Sequence, residues 1–199
     1  LVQRFPSGEL DITYPMVKYC FVPRPADGHK GTFGHVLCVG GSMGMAGAVR
    51  MSVLAALRSG TGLVTAAVPQ AIYPIAAAGL SEPIFLPLPE HAHEAIALLQ
   101  ERMTWANALV LGCGLGTGMW ARQVVNAVLT QSSCPLVLDA DGINCAAMHI
   151  YNLKTAGKPS AGQWVLTPHP GEMARLLGCT VDQVQADRIA AAQTAAAQW

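Results

Sequence analysis

Apolar residues in this chain recur at two spacings, and the two alternate. HVLCVGG (35–41), GLVTAAVP (62–69), NALVLGCGLG (107–116), PLVLDADGIN (135–144) and WVLT (164–167) contain short continuous apolar runs that end in glycines, a proline, acids or a turn, as strands buried on both faces do. Between them, AGAVRMSVLAALRSG (46–60) puts Val49, Val53, Leu54 and Leu57 on one side and stops at Gly60, which predicts a helix. Further helices are expected over 70–79, over HAHEAIALLQERM (91–103) and from the glycine loop at 112–118 to about Thr130. EPIFLPLP (82–89), interrupted by prolines, suits an edge or irregular strand. Met173, Leu176 and Leu177 recur at helical spacing from Glu172 until Gly178 stops the run. Thr180 and Gln183 form a T-x-x-Q capping box, and the chain from there to its end reads as one unbroken helix.

Strand and helix alternate throughout, which predicts an α/β fold: a mostly parallel sheet with helices on both faces. Residues 1–25, with weak periodicity, read as an arm or interdomain linker, 26–199 as the folded domain, and YNLKTAGKPSAGQ (151–163) as an exposed connector. In such a sheet, ligands bind at the carboxyl ends of the strands. Four of those ends are GGSMGMAGA (40–48), GCGLGTG (112–118), DADGIN (139–144) and TPHPGE (167–172), each glycine-rich, acidic or both. Glycines permit close backbone approach, helix N-termini hold anions, and carboxylates beside them can organise Mg²⁺ around a phosphate. Four such tips at one edge point to a phosphate-bearing ligand. The TPHPGE turn, stiffened by two prolines, presents His169 and Glu172; local grounds alone favour a stiff loop with a capping glutamate, and its position beside three other ligand-like tips shifts the reading to a functional turn. G-x-x-x-x-G-K-[ST] and G-x-G-x-x-G are both absent, which argues against a Walker P-loop protein and a standard dinucleotide-binding Rossmann domain.

Composition narrows the class. With 52% hydrophobic and 12% charged residues and a formal net charge of zero, the chain is no disordered segment and carries no basic stripe for nucleic acid. No apolar run reaches the roughly 18 residues that span a membrane, and no signal peptide opens the chain, so a cytoplasmic protein without membrane partners is expected. The six cysteines form no C-x-x-C pair and are expected to be reduced. His91 and His93, among Glu90 and Glu94, read as solvated. The opening Leu, without an initiator Met, reads as the interior of a longer product.

HKGTFGHVLCVGGSMGMAGAVRMSVLAALRSGTGLV (29–64), LVLGCGLG (109–116), PLVLDADGIN (135–144) and TPHPGEMARLLG (167–178) resemble, in order and spacing, the successive motifs of the ADP- or ATP-dependent NAD(P)H-hydrate dehydratases. The resemblance implies a three-layer α/β/α ribokinase-like fold. It also implies a hydro-lyase activity in nicotinamide cofactor repair: nucleotide-driven dehydration of the S form of hydrated NADH or NADPH, through phosphorylation of the C6 hydroxyl and loss of phosphate. ADP or ATP would be the co-substrate, with Mg²⁺, and a homo-oligomer is expected. By motif, Gly47, Ala48, Gly114, Gly116 and His169 match substrate-binding positions, and Asp139, Asp141, Asn144 and Glu172 match positions that organise metal or phosphate. Cys113 replaces a usual proline, Gly142 stands where another small residue is often found, and Lys30 reads either as a phosphate contact or as a solvated lysine.

The family's K-G-x-x-T segment and its G-x-G-D-x-L-x-G loop, which supplies the anion hole and the catalytic Asp, do not occur in this sequence. The catalytic residue is therefore expected beyond its end. The chain is expected to be a substrate-side fragment, incomplete at the C-terminal end of the sheet and preceded, in a bifunctional enzyme, by an epimerase domain. A vitamin-precursor kinase of the same superfamily and a non-catalytic nucleotide-binding subunit are the alternative readings.

Overall fold

In the computed structural model, residues 12–20, 23–148 and 164–199 are described; the expected connector at 151–163 and most of the expected arm lie outside them. The elements in chain order are α1 (Tyr14–Cys20), β1 (His35–Val39), α2 (Ala46–Arg58), β2 (Leu63–Pro69), α3 (Tyr73–Ala77), β3 (Ile84–Leu88), α4 (Ala92–Met103), β4 (Ala108–Leu111), α5 (Met119–Gln131), β5 (Leu136–Leu138), α6 (Asp141–Met148), β6 (Trp164–Leu166), α7 (Pro170–Leu177), α8 (Val181–Ala186) and α9 (Arg188–Gln198). Short 3-10 turns at Lys30–Phe33 and Gln70–Ile72 precede β1 and α3.

The six strands form one sheet in the order β3-β2-β1-β4-β5-β6, and every pairing is parallel. The proline-interrupted β3 is an edge strand, as expected, with Pro87 opposite Val68. Successive strand residues face opposite sides. Leu37, Val39, Leu109, Leu111, Leu136 and Leu138 pack with Leu99, Val124, Val125, Ile143 and Leu176 from α4 to α7. On the other face, Cys38, Val64, Ala66 and Val68 pack with Val49, Val53, Ile72 and Ala76 from α2, α3 and the turn between β2 and α3. The result is the expected helix–sheet–helix sandwich. On the α2 side the cover thins across one row of paired residues: Cys38 is buried, its neighbours Val110 and Val137 are half-buried, and Val165 on β6 is 55% exposed.

Two local expectations are corrected. The stretch after Thr180 is two helices: Asp187, extended at φ −152°, accepts the Ala190 N–H and restarts the chain as α9. The expected Thr180–Gln183 box does cap α8. The tip at 139–144 is already helical from Asp141, so Asn144 sits on α6. At the N-terminal end, Arg24 stacks 3.6 Å from the Phe33 ring centroid and donates to Gly60 O, which ties this part of the arm to the domain.

Candidate functional site

A parallel sheet brings the ends of β1, β4, β5 and β6 to one edge. The chain leaves β1 toward β2 and leaves β4 in the opposite direction, toward β5. Their loops diverge over a switch point, where an open sheet leaves a crevice. The loops are stitched together below it: Gly41 N–H donates to Cys113 O at 2.9 Å and Ser42 Oγ to Gly114 O at 2.8 Å. Gly114, at φ +68°, lies so near α2 that a Cβ there would come within 2.8 Å of Ala48 Cβ and 2.9 Å of Met45 O. Ala48 therefore packs against the second glycine loop, while Gly47 is exposed and a Cβ on it would meet nothing within 4 Å. The N-termini of α2 and α5, capped by Met45 and Gly118, receive no hydrogen bond from a capping side chain. Helix N-termini in this state carry partial positive charge and unpaired N–H groups suited to anions. Four of the expected substrate-binding residues, Gly47, Ala48, Gly114 and Gly116, thus belong to the two loops that meet at the switch point.

The DAD tip is occupied with holding these loops. Asp139 Oδ1 accepts the Thr167 hydroxyl at 2.8 Å, and Oδ2 accepts the Cys113 thiol at 3.4 Å. Asp141 Oδ2 accepts Gly116 N–H at 2.8 Å, and Oδ1 accepts Asn144 Nδ2 at 3.3 Å. Asn144 Oδ1 in turn accepts from Arg175 of α7 at 2.8 Å. Ala140 between the two acids has φ +50°, a left-handed conformation that helps turn β5 into α6 within two residues. Gly142 is tightly required: a Cβ there would lie 2.7 Å from Leu111 O, and one on Gly112 would collide with Asp139 O and Gly142 N.

His169 and Glu172 engage each other. His169 Nδ1 accepts from Gly171 N–H at 3.0 Å, so the ring proton sits on Nε2, which lies 3.1 Å from Glu172 Oε1. Glu172 Oε2 accepts His169 N–H at 2.9 Å, which completes a capping box on α7 with Pro170 in its first turn. The Glu172 side chain is 6% exposed and the His169 ring 62%. The capping reading of this turn is realised in full, and it leaves the ring face of His169 open. The strand before it, β6, lies two positions from β4 in the sheet, about 10 Å across.

Among the described residues, no three His, Cys, Asp or Glu side chains gather in a metal-ligating group. Asp139, Asp141 and Glu172 are each hydrogen-bonded within the protein. Lys30 lies before β1, at the amino edge opposite the tips, and is solvent-exposed. His91 and His93 stack at 5.9 Å, and the His93 side chain is 82% exposed.

Several contacts were not foreseeable from motif spacing. Ser42 and Thr167 direct their hydroxyls inward. Burial pushes the Cys113 thiol up, the neighbouring Asp139 adds to the shift, and a hydrogen bond with Ser52 opposes it, so Cys113 remains a donor. Burial also raises Cys38 to about 12, with Cys113 adding, and Cys145 to about 11, with Asp141 adding. Arg175, unmarked by any motif role, turns out to be linked to the glycine loop.

Sandwich, strand order and tips together define a ribokinase-like α/β/α protein. A family model described as NAD(P)H-hydrate dehydratase matches residues 36–199, and the chain belongs to that family. It is 41% identical over 181 residues to the bifunctional NAD(P)H-hydrate repair enzyme Nnr of Moorella thermoacetica, covering 88% of this chain and 33% of that one. It is 41% identical over 174 residues to the ADP-dependent (S)-NAD(P)H-hydrate dehydratase of Neisseria meningitidis serogroup B, covering 87% of this chain and 55% of that one. The crystal structure of the ADP/ATP-dependent NAD(P)H-hydrate dehydratase from Bacillus subtilis, co-crystallized with ATP/Mg²⁺, matches with a TM-score of 0.65 at 27% identity, covering 88% of this chain and 58% of that one. The chain thus spans between a third and just over half of these curated relatives.

Proposed function

We propose that this chain is the substrate-side part of an enzyme that returns the S form of hydrated NADH or NADPH to the reduced cofactor, with ADP or ATP as co-substrate. The observation that carries the reading is the pair of stitched glycine loops at the β1–β4 switch point, each opening a 13-residue helix with no side-chain cap. Two such N-termini facing one crevice suit a ligand with two linked phosphates, as a dinucleotide has. Gly47 and Gly116 offer backbone without side-chain obstruction, and the exposed face of His169 offers a stacking surface for a planar ring. Its Nδ1 is already used within the turn and its Nε2 lies against Glu172, so contact through the face preserves the cap.

In this reading the chain binds and orients. The C6 hydroxyl gains a phosphoryl group from the nucleotide and gives its proton to a base; phosphate then leaves with the C6–O electron pair while the adjacent C5 gives up a proton to water, and the C5–C6 double bond re-forms. The base and the anion hole are assigned to the Asp-bearing loop that this sequence does not contain. Mg²⁺ would enter with the nucleotide phosphates. Residues 26–199 then constitute part of a dehydratase domain. An epimerase domain before the arm and assembly into a homo-oligomer belong to the same proposal, the first motivated by the bifunctional relative.

The test is recovery of near-ultraviolet absorbance from hydrated NADPH by the protein that carries this chain, with and without ADP or ATP. Nucleotide-dependent recovery is expected, and His169→Ala should raise KM on the order of tenfold with little change in kcat. Recovery without nucleotide, or phosphorylation of an unrelated alcohol with no reduced cofactor formed, would overturn the proposal.

A further inference from the structure

We infer that Arg175 is a positioning residue for the glycine loop of the proposed substrate site, acting through Asn144 and Asp141. The chain of hydrogen bonds runs from α7 to the β4 loop: the Arg175 guanidinium donates to Asn144 Oδ1 at 2.8 Å, Asn144 Nδ2 donates to Asp141 Oδ1 at 3.3 Å, and Asp141 Oδ2 accepts Gly116 N–H at 2.8 Å. Chemistry fixes the direction of each link. A guanidinium only donates, and an ionised carboxylate only accepts. The Asn144 amide can therefore sit only one way, oxygen toward Arg175 and nitrogen toward Asp141. Reversing it would set donor against donor at one end and acceptor against acceptor at the other.

The relay has a mechanical consequence. Gly116 is in the left-handed region, at φ +77°, and belongs to the loop that opens α5. An amide held by a carboxylate makes a stronger bond than a neutral pair, so Asp141 determines which way the Gly116 peptide faces. Asp141 is oriented by Asn144 from one turn along α6, and Asn144 by a cation on another helix. α7 is also the helix whose first turn carries His169 and Glu172. One relay thus couples the two halves of the carboxyl edge, the crevice at β1–β4 and the turn after β6. Arg175 is exposed, and its hydrogen bond runs to Asn144 rather than to the glycine loop, so its contribution lies in geometry.

The assignment to substrate geometry rests on the proposed function; the relay itself does not, and the experiment separates them. Three variants of the full protein are compared: Arg175→Ala, Arg175→Lys and Asn144→Asp. The first readout, without any ligand, is hydrogen exchange of the segment 112–118. Arg175→Ala should speed it about tenfold, and Arg175→Lys, which can still donate to Asn144, should restore much of the protection. Asn144→Asp keeps an acceptor for Arg175 but turns a second carboxylate on Asp141, so it should loosen the loop while the tie between α6 and α7 is kept. The second readout is turnover of hydrated NADPH, where Arg175→Ala should raise KM about tenfold and leave kcat within about twofold. Unchanged exchange at 112–118 in Arg175→Ala or Asn144→Asp would overturn the relay. Faster exchange with unchanged KM would overturn its role in substrate geometry, and absence of turnover in the unsubstituted protein would count against the proposed function alone.

Discussion

Single residues at the carboxyl edge divide into those that the backbone requires and those that it tolerates. Gly112 is required: it sits at φ +118°, and a Cβ on it would collide with Asp139 O and Gly142 N. Ala140 is tolerated at φ +50°, where a side-chain carbon costs roughly 1 kcal/mol. The two substitutions should therefore move stability in opposite directions. Gly112→Ala is expected to cost about 3 kcal/mol or more through strain and displaced backbone. Ala140→Gly should stabilise by up to about 1 kcal/mol, with relief of the left-handed strain outweighing the added chain entropy. Denaturant midpoints at constant m-value would measure both, and equal losses from the two would refute this account of the turn.

At the scale of elements, the strands and most helices were legible because their apolar spacing reports burial directly. HVLCV and LVTAAVP are buried runs in sequence and central strands in space. The Gly178 stop is realised as a left-handed cap at φ +66°. Legibility failed where a side chain competes with spacing. Asp187 breaks an alanine-rich pattern by capping Ala190 N–H, and no periodicity registers that. The same holds for the site. Glycine tips and acids could be placed at one edge from the motifs, but whether Asp139, Asp141 and Glu172 face outward to metal or inward to Thr167, Gly116 and His169 depends on tertiary contacts that spacing does not encode. The amino end of the sheet carries a further example. His35 opens β1 with its ring buried, Nε2 lying 2.8 Å from Thr65 Oγ1 of β2. Burial holds its pKa below the usual 6.5, with the Arg102 charge adding to the effect and a hydrogen bond to the Trp105 backbone opposing it. An imidazole that stays neutral in the folded protein but protonates in the unfolded chain gives stability that is complete above pH about 6.5 and is lost as pH falls below it. Thermal melting should accordingly drop as pH falls below about 6.5, with a shallower slope in His35→Gln. Equal slopes would show that other groups govern the acid limb.

At the scale of the molecule, the parallel sheet separates two edges of different character. The amino edge holds His35, Asn107 and the turn at Lys30–Phe33; there His29 caps as His169 does at the other edge, accepting from Gly31 N–H at 3.1 Å. The same H-x-G turn thus occurs at both ends, and only the one after β6 lies beside the glycine loops. The central claim is that the crevice between the β1 and β4 tips receives the hydrated dinucleotide. The most direct test is a hydrogen-exchange footprint of the protein with and without saturating hydrated NADPH. Protection is predicted at 40–48 and 112–118, extending to 167–172, with no change at 29–33. Protection confined to the amino edge, or none at either glycine loop under saturation, would contradict the claim.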